Sequence, residues 1–224
     1  MFRIKICGIT NIEDAVAAVD AGADALGLNF YKKSPRCVSL DVAKQIAAAT
    51  DIVRVGVFVN QLADEMWEAW NASGLSFAQI HGDESPAMLK PIAEMDIITV
   101  HRIAPGETEV LARLTRDRTD FLSTIGWMPQ GMLVDSATPG EYGGTGTQAN
   151  WDLLQGYEDQ LGPGAGLILA GGLTPENVAE AIRIVRPAAV DVASGVESSP
   201  GKKDPIKVRE FVAAAKAAFE SLES

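Results

Sequence analysis

The sequence predicts an α/β fold: a single (β/α)8 TIM barrel, with eight parallel strands, occupying residues 1–224 as one domain. Three observations carry this reading. Short β-branched apolar runs alternate with helix-period segments from end to end. Several runs are apolar on both alternating faces, as Ile52-Val53-Arg54-Val55-Gly56-Val57-Phe58-Val59 nearly is, which suits parallel strands covered on both sides. The length of 224 residues holds eight strand–helix units, since such barrels need about 200 residues at their smallest. A doubly wound open sheet is the alternative architecture.

The predicted strands, in order, are Phe2–Cys7, Asp24–Leu28, Ile52–Val59, Phe77–Ile80, Ile97–Val100, Gly131–Val134, Leu167–Ala170 and Ala188–Val192. The helices between them carry start and stop signals. Thr10-Asn11-Ile12-Glu13 reads as a capping box, and Gly22 stops the alanine-rich run that follows. Ser39, Asn60 and Asn150 are candidate caps for three more helices. Ser85-Pro86, Thr174-Pro175 and Asp204-Pro205 each set a cap residue before a proline at the first helical position, where a missing N–H costs nothing. Glu107–Gln130 is the weakest stretch; it reads as a helix followed by an irregular piece around Trp127-Met128-Pro129. The order strand, glycine, capping threonine, helix recurs at Gly8-Ile9-Thr10 and Gly172-Leu173-Thr174, a faint internal echo.

Composition narrows the function. Nineteen basic against thirty acidic residues give a net charge of -11, a field that repels nucleic acid and anionic lipid, so no partner of either kind is expected. A phosphorylated small molecule would need a locally positive pocket. Two cysteines, Cys7 and Cys37, make no disulfide framework and suit a reduced, cytoplasmic protein. The N-terminus lacks a secretory signal, and no segment approaches the apolar length of a membrane span.

In such a barrel the active site lies at the C-terminal ends of the strands. Gly171-Gly172 ends the seventh strand and Ser194-Gly195 follows the eighth, the two places where barrels often bind phosphate on backbone amides. Either pair alone would read as a tight turn; their coincidence favours phosphate. Cys7 and Asp135, at the ends of the first and sixth strands, are the candidate general base and general acid. Taken singly, the cysteine reads as a small buried hydrophobe and the aspartate as a cap. The chemistry requires Cys7 to lose its proton, helped by Lys5 or a helix N-terminus, and Asp135 to keep its own in an apolar setting. Arg36, in Ser34-Pro35-Arg36, is either a surface arginine or a grip for a carboxylate. His81 and His101, without clustered partners, make no metal site and read as structural or supporting residues. The loop Gly140–Gly146 suits a mobile lid or an ordinary surface loop, and the four tryptophans read as packing residues.

Taken together, Lys5-Ile6-Cys7-Gly8-Ile9-Thr10, Ser34-Pro35-Arg36, Gln79-Ile80-His81-Gly82-Asp83-Glu84, Gly143-Gly144-Thr145-Gly146, Leu169-Ala170-Gly171-Gly172-Leu173-Thr174 and Asp191-Val192-Ala193-Ser194-Gly195-Val196-Glu197 resemble the phosphoribosylanthranilate isomerase family of tryptophan biosynthesis. The resemblance runs the whole length, in order. It implies a cofactor-free and metal-free enzyme performing an Amadori rearrangement on a small phosphorylated substrate, as a monomer or homodimer. It implies Cys7 as the base at C2 of the sugar, Asp135 as the acid at the ring oxygen, and Arg36 on the anthranilate carboxylate. Phosphate would sit near Gly171, Gly172, Ser194 and Gly195, and Asp191 would touch a sugar hydroxyl. The run Thr147-Gln148-Ala149-Asn150 departs from the family's usual lysine, phenylalanine and aspartate after the glycine cluster. Two other functions stand beside this one: the related aldose–ketose isomerase of the histidine pathway, whose members carry an aspartate where Cys7 stands, and a non-catalytic barrel that binds a phosphorylated metabolite. A metal-dependent sugar-phosphate epimerase has too few histidines to draw on.

Overall fold

The computed structural model describes residues 2–103, 109–126, 128–136, 151–156 and 166–223. Eight strands close into a barrel in chain order: β1 (Ile4–Cys7), β2 (Ala25–Asn29), β3 (Val53–Phe58), β4 (Phe77–Ile80), β5 (Ile97–Ile103), β6 (Gly131–Ser136), β7 (Gly166–Leu169) and β8 (Ala189–Val192). Every neighbouring pair is parallel, and β1 pairs β8 through Lys5 opposite Asp191. Closure excludes the open doubly wound sheet. β5 and β6 run further than their apolar stretches predict, because the ladder continues through polar residues, with Arg102 opposite Asp135.

Strand parity sorts the side chains. Ile4, Ile6, Leu26, Leu28, Met132, Val134, Val190 and Val192 face the surrounding helices in the larger apolar cluster. The alternate residues face the barrel axis, where Ala25, Val55, Ile98, Leu133, Ile168 and Ala189, joined by Phe2 from ahead of β1, form a separate small core. Further along the inward rows stand Lys5 and Cys7, Gln79 and His81, Asp135, and Asp191. The apolar floor thus ends in a polar layer at the C-terminal mouth.

The helices are α1 (Ile12–Ala21), α2 (Leu40–Ala49), α3 (Ala63–Ser73), α4 (Val110–Ile125), α5 (Val178–Val185) and α6 (Pro205–Leu222). Ser39 and Asp204 cap α2 and α6 as expected, and Gly22, with φ 87°, closes α1. Four cap assignments are corrected. Asn11, not Thr10, caps α1 by accepting from the Asp14 amide, while the Thr10 hydroxyl donates to the Gly201 carbonyl. Asn177, not Thr174, precedes α5; its side chain accepts from the Thr174 amide and donates to the Gly172 carbonyl, so it braces the loop instead of the helix. Asn60 sits at φ 50° with its oxygen on the Asp83 amide, and α3 starts after Leu62 without a side-chain cap. Ser85-Pro86 opens a 3₁₀ helix, Pro86–Ile92, that contains Pro91 and takes no side-chain cap bond from Ser85; an internal proline removes one of the donors an α-helix would need. After β6 a short 3₁₀ turn, Trp151–Leu154, packs Trp151 into the core, while Trp67 and Trp70 pack against its edge. The expected cap Asn150, the glycine loop 140–146 and Trp127 lie outside the described residues.

An unforeseen element follows β8. Ser194–Val196 make a 3₁₀ turn, and β9 (Glu197–Ser199) and β10 (Lys202–Lys203) form a small antiparallel hairpin over the barrel rim.

Candidate active site

All eight predicted site residues, Cys7, Arg36, Asp135, Gly171, Gly172, Asp191, Ser194 and Gly195, line one cavity of about 740 Å³ at the C-terminal mouth. His81 and Gln79 line it too, which the sequence reading did not assign to it.

One wall is the loop after β7. Gly171 and Gly172 both have positive φ, 84° and 66°, a turn that side chains with a Cβ resist. This turn brings the loop against the 3₁₀ segment after β8, where a Cβ on Gly195 would stand 1.9 Å from the Leu173 carbonyl oxygen. The two glycine segments are therefore packed into a single backbone surface, and the arrangement is suited to an anion held by amides.

A second wall carries Arg36. Its loop is shaped by polar side chains: Asn29 Oδ1 accepts from the Tyr31 amide, and Ser34 Oγ accepts from the Arg36 amide. The guanidinium is held from the far side by Glu197, with Nε to Oε1 and Nη2 to Oε2 both 2.8 Å. Glu197 also accepts from Lys203 Nζ at 3.0 Å, and Lys203 Nζ donates to the Ala193 carbonyl. Burial would raise the Glu197 carboxyl, but the bonds from Arg36 and the charge of Lys203 hold it down. Burial pulls Lys203 below the usual lysine range, against the pull of Glu197. Neither Glu197 nor Lys203 was assigned a role from sequence. The hairpin makes Arg36 a fixed group with one edge occupied, and a second carboxylate must approach the remaining edge.

The floor is a chain of directed hydrogen bonds. Lys5, fully buried, donates to Asp191 Oδ1 and to Gln79 Oε1, each at 3.0 Å. Burial alone would lower the ammonium, but Asp191 and then Cys7 hold it above the ordinary lysine value. Gln79 Nε2 meets His81 Nδ1 at 3.1 Å. His81 Nε2 stands 3.9 Å from Asp135 Oδ2 and, although buried, has no hydrogen-bond partner. Burial, with Lys5 and Arg102 nearby, pushes the His81 imidazole down to about 3, so it is neutral at physiological pH.

Cys7 departs from the tuning the sequence suggested. Burial raises its thiol, and the opposing pull of Lys5 and Lys203 does not overcome it. The free site therefore holds a thiol, not a standing thiolate. His101 does not join the site; it bonds Thr99 and Asp117 between β5 and α4, a structural role as expected. Among the described residues no group of histidine, cysteine or carboxylate side chains forms a metal cluster, and no helix is long and apolar enough to cross a membrane.

Comparison with known proteins follows the same geometry. The family model of N-(5'-phosphoribosyl)anthranilate isomerase matches residues 4–214. An N-(5'-phosphoribosyl)anthranilate isomerase of Trichlorobacter lovleyi is 43% identical over 98% of this chain and 100% of its own. The crystal structure of phosphoribosyl anthranilate isomerase from Thermotoga maritima superposes with a TM-score of 0.82 at 38% identity, covering 97% of this chain and 100% of that one. A structure of such an isomerase with reduced 1-(o-carboxyphenylamino)-1-deoxyribulose 5-phosphate superposes at 0.79 with 36% identity, covering the same shares.

Proposed function

The chain belongs to the N-(5'-phosphoribosyl)anthranilate isomerase family, and from that premise we propose how its barrel mouth works. It is the isomerase that converts N-(5'-phosphoribosyl)anthranilate into 1-(2-carboxyphenylamino)-1-deoxyribulose 5-phosphate in tryptophan biosynthesis. The histidine-pathway alternative is not favoured. The observation that carries the residue-level reading is that Cys7, Asp135, Arg36 and both glycine segments line the same cavity, at the strand ends where barrel chemistry is performed.

In this reading the phosphate rests on backbone near Gly171, Gly172, Ser194 and Gly195, and the anthranilate carboxylate on the open edge of Arg36. The length of the substrate is thereby held between two anchors, with the ribose over Cys7 and Asp135. Asp191, already pinned by Lys5, presents its second oxygen to a sugar hydroxyl. Asp135 delivers a proton to the furanose ring oxygen as the C1–O bond breaks; the bonding pair leaves with the oxygen, and the nitrogen lone pair forms a C1=N iminium. Cys7, as thiolate, then takes the C2 proton. The electrons of that C–H bond form C1=C2 and neutralise the iminium, giving an enaminol. Loss of its O2 proton and gain of one at C1 completes the ketone. No redox step occurs, and the reaction balances without a cofactor or metal.

We read residues 1–224 as one catalytic unit whose partner is this small phosphorylated substrate, and the two free thiols support a reducing, cytoplasmic setting. The test is Asp135→Asn and Cys7→Ser. Each should lose about 10²–10⁴-fold or more in kcat, with unfolding temperature near that of the parent. A variant that keeps more than about a tenth of kcat, with chemistry rate-limiting, removes that residue from proton transfer.

A further inference from the structure

We propose that His81 is a further catalytic residue: its Nε2–H donates a hydrogen bond to the same furanose ring oxygen that Asp135 protonates. The proposal rests on the reading of Asp135 as the acid.

The direction of the donor follows from one group that has no choice. An ammonium offers only donors, so the Gln79 atom facing Lys5 Nζ at 3.0 Å must be its carbonyl oxygen. The amide nitrogen then faces His81 and donates to Nδ1. A neutral imidazole that accepts at Nδ1 must carry its proton at Nε2. Lys5 is itself locked to Asp191, so nothing along the row Asp191, Lys5, Gln79, His81 is free to turn over. The last atom of that row is a buried N–H without an acceptor, on the wall of the cavity. Buried donors in native proteins are nearly always paired, so an unpaired one facing a binding cavity points to an acceptor on the ligand.

Position selects the acceptor. Nε2 and Asp135 Oδ2 are 3.9 Å apart, too far to bond each other well but close enough to share one atom. An oxygen about 2.8 Å from each would see the two at roughly a right angle. The substrate oxygen placed against Asp135 is the ring oxygen, which gains electron density as the C1–O bond breaks. A donor fixed beside it stabilises that charge before and during proton delivery. The neutrality of His81 matters here. An imidazolium next to Asp135 would favour its carboxylate and remove the acid, whereas a neutral ring donates a hydrogen bond and keeps its proton. Throughout ring opening the transferred proton comes from Asp135, and the Nε2–H bond stays intact.

Two measurements test this. The chain has two histidines, so ¹⁵N-labelled imidazole resonances assign readily, with a His101 variant as the reference. His81 should show a single Nε2–H tautomer that does not titrate near neutral pH. Reduced 1-(o-carboxyphenylamino)-1-deoxyribulose 5-phosphate, which carries the former ring oxygen as a hydroxyl, should move the Nε2–H proton downfield. In kinetics, His81→Leu should lower kcat by about 10²-fold with a smaller change in KM, and His81→Gln, which keeps a donor of similar reach, should recover part of the loss. An Nδ1–H tautomer, an unmoved resonance on saturation, or a kcat for His81→Leu within about threefold of the parent would overturn the proposal. Asp135→Asn, run alongside, separates the two readings. If it is inactive while His81→Leu is not, the acid stands and His81 falls. If it stays active, the acid itself is misassigned, and the imidazole resonances still report whether His81 touches the ligand.

Discussion

Replacing Glu197 by glutamine tests the hairpin that holds Arg36. The glutamate side chain is 5% exposed and faces two cations, Arg36 and Lys203, with three bonds of 2.8–3.0 Å. Glutamine has nearly the same shape, but one of its two terminal atoms becomes a donor set against donors. It also leaves a buried lysine and a half-buried arginine without their counter-charge. Removing one partner of a buried pair costs about 3–5 kcal/mol. Lys203, already drawn below the usual lysine range by burial, can relieve part of this by releasing its proton, which favours the lower end. For a chain of this size each kcal/mol is worth about 2–4 °C, so the unfolding midpoint should fall by about 6–20 °C. Function should respond selectively. With the guanidinium free to swing, KM for the natural substrate should rise more than KM for an analogue lacking the anthranilate carboxylate, while kcat for bound substrate changes less. Adding Lys203→Met should restore part of the stability by removing one stranded charge. The assay is thermal unfolding followed by circular dichroism, paired with steady-state kinetics on both substrates. A midpoint within about 2 °C of the parent would refute the account of the network. Equal rises in both KM values would detach Arg36 from the carboxylate.

Two further outcomes are expected. Because burial raises the Cys7 thiol, its thiolate is present above that raised value and is lost as pH falls; alkylation of Cys7 in the free enzyme should therefore speed up by nearly tenfold per pH unit from neutral to mildly alkaline pH, and a rate that stays flat over that range would show a standing thiolate instead of a thiol. Gly172→Val forces a β-branched residue to φ 66° and sets a side chain where the phosphate would approach, so KM should rise strongly; an unchanged KM in a folded variant would place the phosphate elsewhere.

How far the sequence speaks for this molecule can be judged from individual positions. The eight strands were legible because each is a short, mostly apolar run bounded by turn residues, and inward parity then places Lys5, Cys7, Asp135 and Asp191 on the axis. Cap assignment was less secure for a physical reason. Thr10 and Asn11 are both good capping residues, and only the point at which the backbone leaves helical geometry decides between them. Ser85-Pro86 and Asp204-Pro205 carry the same local signal, yet one opens a 3₁₀ turn interrupted by Pro91 and the other an eighteen-residue helix. Side-chain partnerships across the barrel leave no local trace. Lys5 and Gln79 are 74 positions apart, Arg36 and Glu197 are 161 apart. A glutamine on the inward row of a strand otherwise lined with apolar residues, at the head of the Gln79–Glu84 motif, was the sign that Gln79 had a task.

The separation of Arg36 from Glu197 bears on how activity is acquired during synthesis. Strands β1 to β7 can associate as they emerge, but the carboxylate that orients Arg36 belongs to a hairpin made after the last strand. Until then the arginine lacks the carboxylate that fixes it, and Lys203, the second cation on that carboxylate, has not been made. Affinity for the aromatic end of the substrate therefore arises in one late event, together with the β1–β8 seam. Partial barrels, whether nascent chains or proteolytic fragments, would not sequester the metabolite. Bound substrate would in turn resist opening of that seam, so the ligand should protect the two ends of the chain from hydrogen exchange more than it protects the middle.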